Sequence, residues 1–395
     1  MKLDLRAILP NASITIEERL RATKGRPTGF DYLRAFLAYA VVCWHTIIIS
    51  YGLSFQNQIW SSSFRPLPAA ILPMFFALSG FLVAGSLERS KTVLGFLLLR
   101  VLRIFPALIA EVTLSALVLG TIMTSESLST YLSSPMFHRY FLNLIGDIQY
   151  LLPGVFDSNP NAHVVNGQLW TVPFELECYI VLALLWAMRI VRFEIVIVAA
   201  VSLAQIAFAG RAFLGGEVIE SIVPGRVLVL TFLCGVAFFY LGRKTPWSPT
   251  LFFVAATASI VLLFIPRGSY FVAGPIAYAT IYIGLLNPKK PWVLEGRDYS
   301  YGIFLYGFPI QQTIAALGPW THHWYVNLLL SSPLILMFSA ASWHFLEKPA
   351  LQLRSYVGKA ESYWMRGKIE LAARWRRAVS RPEVKTLRPG GRNLV

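Results

Sequence analysis

Apolar runs of about 20 residues, the length needed to cross a bilayer, recur along this chain from residue 30 to residue 346, separated by short polar turns. The first is Phe30 to Tyr51, FDYLRAFLAYAVVCWHTIIISY, followed by a Ser-rich loop to Pro68. A second, at about 69 to 87, ends at Glu88, Arg89 and Lys91. The third, about 92 to 123, is too long for one upright span and carries Arg100 and Arg103 ahead of Pro106, so its start is expected to lie as a helix near the inner surface. Further spans are expected at about 166 to 188, 193 to 210, 222 to 241, 249 to 266, 269 to 287, 299 to 318 and 324 to 346, about ten in all. Residues 124 to 165 form the longest non-apolar insertion, with helix expected around Tyr131 to Leu152 and a loop rich in Pro, Asn and Asp at 153 to 163, placed outside over the mouth of the bundle. The pattern predicts an all-α polytopic fold: an arm at 1 to 29, a transmembrane domain at 30 to 350 and a basic tail at 351 to 395. No internal repeat is visible, so the inverted-repeat signature of many transporters is missing.

Composition agrees with this reading. Of 395 residues, 56% are hydrophobic and 14% charged, with a mean hydropathy of +0.57, which excludes a soluble enzyme. The net charge of +15 sits between the apolar runs and in the two ends, as the positive-inside rule requires, so no nucleic-acid partner is expected. Turns assigned to the cytoplasm hold Arg189, Arg192, Arg243, Lys244, Lys289, Lys290 and Arg297, against Arg65, Arg139, Arg211 and Arg267 outside, which predicts both termini inside. The arm carries Lys2, Arg6, Arg19, Arg21, Lys24 and Arg26, a short surface helix across ITIEERLRA and no apolar core of a cleavable signal peptide. In the tail, SYWMRGKIELAARWRRAV alternates apolar and basic faces and is expected to lie on anionic membrane lipids. Cys43, Cys178 and Cys234 all fall in apolar runs, and an odd count without a CxxC pair predicts neither a disulfide framework nor a metal site.

Charged and titratable residues within apolar helices are costly and usually face a protein interior. Arg34 and His45 are eleven residues apart, about three turns plus roughly 20° and a rise of about 16 Å, so they share one helix face. Glu175, in QLWTVPFELECY, falls at a depth similar to His45, where a carboxylate beside an imidazole can act as a general-base pair. From these residues alone, a neutralising carboxylate and a satisfied core histidine account for the pair equally well; Glu177 points elsewhere. Arg100 and Arg103, at i and i+3, can converge on one phosphate with Arg34 at similar depth, although cations reaching for lipid headgroups explain a lone pair better. His322 and His323 are expected in an outer loop, and His138, His163 and His344 lack a spacing partner. There is no phosphate-binding loop, nucleophile elbow or HExxH helix.

Together these stretches resemble the acyltransferase-3 family of membrane O-acyltransferases. Arg34 and His45 match its Arg-x10-His motif, and FFALSGFLVAGSLERSKTVLGFLLLRVLRIFP its second and third helices with RxxR as Arg100 and Arg103. GQLWTVPFELECY carries the family glutamate onto Glu175; DYSYGIFLYGFPIQQ is similar to its SYGxYLxHxP helix and WHFLEKPAL to its closing E-x-P segment. Gly307 stands where many members have histidine, so no catalytic role is assigned to that helix. The resemblance spans about residues 30 to 350. It implies transfer of an acyl group, usually acetyl, from cytoplasmic acyl-CoA to a sugar hydroxyl of a surface or lipid-linked glycan, in the inner membrane of a bacterium. His45 and Glu175 would be catalytic, Arg34, Arg100 and Arg103 would hold acetyl-CoA, and no metal is implied. Two other readings stand beside it: a flippase of a lipid-linked glycan with His45 and Glu175 as a proton relay, and an accessory subunit of a polysaccharide export machine.

Overall fold

The computed structural model describes residues 14–25, 27–214, 222–265, 267–289, 297–359 and 361–363, with 366, 370 and 375. Most of the segment expected as an amphipathic tail helix lies outside them. Among the described residues there are helices and isolated bridges but no strand. The arm helix α1 (Ile16–Ala22) starts with a capping box, Thr15 accepting from the Glu18 amide while the Thr15 amide donates to Glu18. It is docked by Arg19 over the Trp247 ring, 4.4 Å to the centroid, and by Arg243 donating to Glu17 at 2.7 Å.

The helices that follow are α2 (Gly29–Trp60), α3 (Pro66–Glu88), α4 (Val93–Leu114, running on through a π-turn at Ser115–Leu119 to Met123), α5 (Leu128–Ser133) and α6 (Pro135–Tyr140). Then come α7 (Val172–Ala187), α8 (Glu194–Leu214), α9 (Gly225–Tyr240), α10 (Pro249–Phe264), α11 (Ala273–Gly284), α12 (Ser300–Ala315), α13 (Trp324–Ser342) and α14 (Lys348–Gln352). Each apolar stretch of the sequence contains a helix. Among the described residues, six helices are long and apolar enough to cross a membrane: Gly29–Trp60, Pro66–Glu88, Val93–Met123, Gly167–Ala187, Glu194–Leu214 and one that begins at Trp324. Sixteen residues, as in α9, α10 and α12, rise only about 24 Å, so length and composition alone do not reach ten spans. The chain is a multi-pass membrane protein built from α-helices.

Small residues set the closest packing, because apolar side chains gain little by leaving lipid for another helix. Helices α3 and α9 meet backbone to backbone: a Cβ on Gly80 would lie 2.0 Å from the Phe232 carbonyl oxygen, and one on Gly235 2.2 Å from that of Ala77. Gly80→Ala is expected to force the two helices apart and destabilise the protein by about 1–3 kcal/mol. Thermal unfolding in detergent measures this, with Gly210→Ala as the control, since nothing lies within 4 Å of a Cβ there. An unchanged midpoint for Gly80→Ala would mean that the α3–α9 contact is looser than its geometry.

Three local features shape the site. Gly52, at φ 77° and ψ 179°, breaks α2 where the first apolar run ends; a side chain there would be strained. Beyond that break, the remainder of α2 presents Gln56 and Trp60 to the cavity beside His45. The insertion closes the same end: it holds short helices, and its loop is tied to α12 by Gln312, whose Nε2 donates to the carbonyls of Asn161 and Val164. Finally, the stretch expected to divide into a surface helix and a span is one helix, α4, in which Arg100 and Arg103 are part-buried and line an interior cavity.

Candidate active site

At one end of the bundle, α2 supplies Arg34, α4 supplies Arg100 and Arg103, and α7 supplies Glu175 and Tyr179. Asp298 comes from the turn before α12. Its Oδ2 accepts from Arg34 Nη1 at 2.5 Å and from Arg103 Nη2 at 2.6 Å, while Oδ1 accepts from Ser300 Oγ at 2.6 Å. The second Arg103 amino group donates to Glu347 Oε2 at 3.1 Å, on a π-turn (Trp343–Glu347) that continues α13, and the second Arg34 amino group to Asp31 Oδ1 at 2.8 Å. Arg100 differs. It donates to Ser86 Oγ at 3.0 Å and lies over the rings of Phe96 and Tyr179, and among the described residues no carboxylate reaches ion-pair distance of it. Burial disfavours the Asp298 carboxylate, but Arg34 and Arg103 beside it, with Ser300 donating, hold its carboxyl well below the usual carboxylate range. Asp298 is therefore an anion at neutral pH, and it joins α2, α4 and α12 through charge-assisted bonds.

Eleven residues along α2, His45 opens onto a second cavity. Neither ring nitrogen has a hydrogen-bond partner among the described residues; the ring meets Phe308 edge-on, 5.1 Å between centroids. The short 3₁₀ turn Gly167–Thr171 ahead of α7 lines this space with Gln168 and Trp170, and Gln168 Nε2 is spent on the Leu305 carbonyl at 2.6 Å. Trp44 and Trp60 form further walls, packed edge to face.

The two spaces adjoin: Val41, Leu72, Thr171 and Phe304 line both. Arg34, Val41 and His45, at i, i+7 and i+11, thus form one stripe along α2, as the helical spacing requires. The space beside the arginines is the smaller, about 130 Å³, and the space beside His45 the larger, about 460 Å³.

Sequence reasoning brought Glu175 to His45, and the structure does not. Glu175 accepts from Tyr179 Oη one turn along α7 and lines the arginine end. Glu177 does point elsewhere, toward Arg226 on α9. Asp298 was missed, because nothing in a polar turn after Arg297 marks it out. Glu111, which accepts from Ser115 at 2.7 Å within α4, was overlooked although it is an acid in an apolar run, and Glu347, whose side chain is fully buried, entered only within the closing E-x-P segment, one residue past the last expected span.

A profile of the acyltransferase domain of the acyltransferase-3 family matches residues 28–346. Among curated proteins, the chain is 27% identical over 336 residues to "O-acetyl transferase" of Shigella phage Sf6, covering 81% of this chain and 94% of that one. It is 26% identical over 363 residues to "Nodulation protein 10" of Rhizobium leguminosarum bv. viciae, covering 84% and 95%. No solved structure matches it. With a profile match that takes in the α2 stripe, both cavities and almost all of the helical bundle, the chain belongs to the acyltransferase-3 family and is an acyltransferase of the membrane.

Proposed function

We propose that the protein transfers an acetyl group from acetyl-CoA to a sugar hydroxyl of a surface or lipid-linked glycan, as an O-acetyltransferase of a bacterial inner membrane. The reading rests chiefly on one observation: two adjoining spaces share four lining residues, the smaller lined by guanidinium groups and the larger by the His45 imidazole, which has no hydrogen-bond partner among the described residues. A slender pantetheine arm suits the smaller space. The tryptophan walls and amide groups of the larger space suit a sugar ring, whose C–H faces meet the negative faces of aromatic rings. The name of the phage relative supports acetyl as the group moved.

In this reading the arginine end faces the cytoplasm, where acetyl-CoA is available, and both termini lie on that side. The thioester comes up beside His45. The imidazole accepts the proton of the sugar hydroxyl while its oxygen attacks the thioester carbonyl; the C–O bond forms, the C–S bond breaks, and the thiolate of CoA leaves and takes up a proton. Glu175, bonded to Tyr179, helps set the charge around the donor and does not orient the His45 ring. The test is transfer of isotopic label from acetyl-CoA to glycan by purified protein, with mass analysis of surface glycans from cells with and without the gene. Glycans of equal acetyl content, together with no transfer in vitro, would overturn it.

A further inference from the structure

The three arginines of the smaller space do not have the same partners. Arg103 spends one amino group on Asp298 and the other on Glu347, and Arg34 spends one on Asp298 and the other on Asp31. The side chains of Arg34, Arg103 and Asp298 are each 20–25% exposed and that of Glu347 is fully buried, so these bonds are poorly screened. Among the described residues, Arg100 is the one of the three whose guanidinium lines the cavity without a carboxylate in ion-pair contact; its Nε, like that of Arg34, is buried without a partner. A phosphate arriving at the amino groups of Arg34 or Arg103 would have to displace a carboxylate already bound there, leaving only the Nε of Arg34 without a partner among the described residues, whereas at Arg100 it displaces the Ser86 hydroxyl.

We propose that Asp298 is a positioning residue, bridging Arg34 and Arg103 into a fixed brace between α2, α4 and α12, so that Arg100 alone meets the phosphate groups of the donor. The proposal rests on the acetyl-CoA reading above and sharpens it, assigning one arginine to the ligand and two to the scaffold that aims it. Arg100 lies three residues from Arg103 on α4, so whatever holds the Arg103 face of that helix also sets where Arg100 points. Asp298 is bound at both oxygens, one to the two arginines and one to Ser300, and this two-sided hold transmits the position of the turn before α12 to α4.

The test uses the full-length protein in detergent with acetyl-CoA as the donor probe. Asp298→Asn keeps the shape but removes the charge that holds both guanidinium groups. It is expected to raise the donor KM by about tenfold, with the acceptor KM and kcat at saturating donor held, and Asp298→Glu to recover part of the loss. A purely structural role would lower the unfolding temperature without this split between donor and acceptor. Should Asp298→Asn fail to fold, a raised donor KM in Asp298→Glu carries the same information. An unchanged donor KM in the Asp298 variants, with a raised one in Arg100→Ala, would overturn the brace and leave the donor site standing. An unchanged donor KM in Arg100→Ala as well would overturn the donor reading and the proposal together. A lowered donor KM in Asp298→Asn would also overturn it, since the carboxylate would then be competing with phosphate.

Discussion

His45→Ala is expected to lower acyl transfer by about 10²- to 10⁴-fold, the usual contribution of a positioned general base, while the protein inserts and unfolds as the wild type does. Stability should survive because the ring forms no hydrogen bond with a described residue. What alanine forfeits is chiefly the edge contact with Phe308, a kind of pair worth about 0.5–1.5 kcal/mol. The cost should therefore appear in kcat, with the donor KM unaltered, since the donor's charged end lies about three turns away along α2. Initial rates with labelled acetyl-CoA, beside a thermal unfolding curve, measure both quantities. Transfer at the wild-type rate would remove His45 from the chemistry.

The second large effect falls on stability. Arg103→Ala leaves Glu347 in a fully buried position without its cation, whereas Asp298 keeps Arg34. Removing one partner of a buried pair costs about 3–5 kcal/mol, although exchanging both for neutral groups is often tolerated. Arg103→Ala is therefore expected to accumulate poorly and unfold early, and the double variant Arg103→Met with Glu347→Gln to regain most of the loss. The four proteins of that cycle, compared by thermal unfolding, give the coupling directly. An Arg103→Ala protein of normal stability that merely binds acetyl-CoA less well would place Arg103 in the donor site and not in the brace.

How far the sequence carries toward this picture depends on the kind of relation involved. Within a helix, geometry is fixed, so the Arg34 to His45 stripe could be drawn from an eleven-residue spacing alone. Between helices, depth can be counted but facing cannot: Glu175 and His45 were matched in depth, yet Glu175 turns to Tyr179. That bond was itself within reach, because the two are four residues apart in one helix. Glu111 was legible by the rule that picked out His45, acids in apolar runs being as costly as bases; Glu347 was not, because it lies one residue past the last expected span. Asp298 was not. It is separated by 264 residues from Arg34 and 195 from Arg103, and only the folded chain brings the three together. The break at Gly52 was hidden because the polar residues after it looked like a loop, whereas the backbone resumes its helix through Trp60.

The place where the two cavities meet has a further consequence. In the acetyl-CoA reading proposed above, the two spaces lie between opposite sides of an energised membrane, and water filling both from end to end would dissipate the ion gradient. Of the four residues common to both cavities, Val41, Leu72 and Phe304 are apolar and Thr171 alone offers a hydroxyl. A constriction of that character sheds water by dewetting, the device by which hydrophobic gates stop conduction in channels. On that reading, the apolar boundary between the two spaces would admit the acyl arm and also act as the seal that keeps protons and sodium from following it.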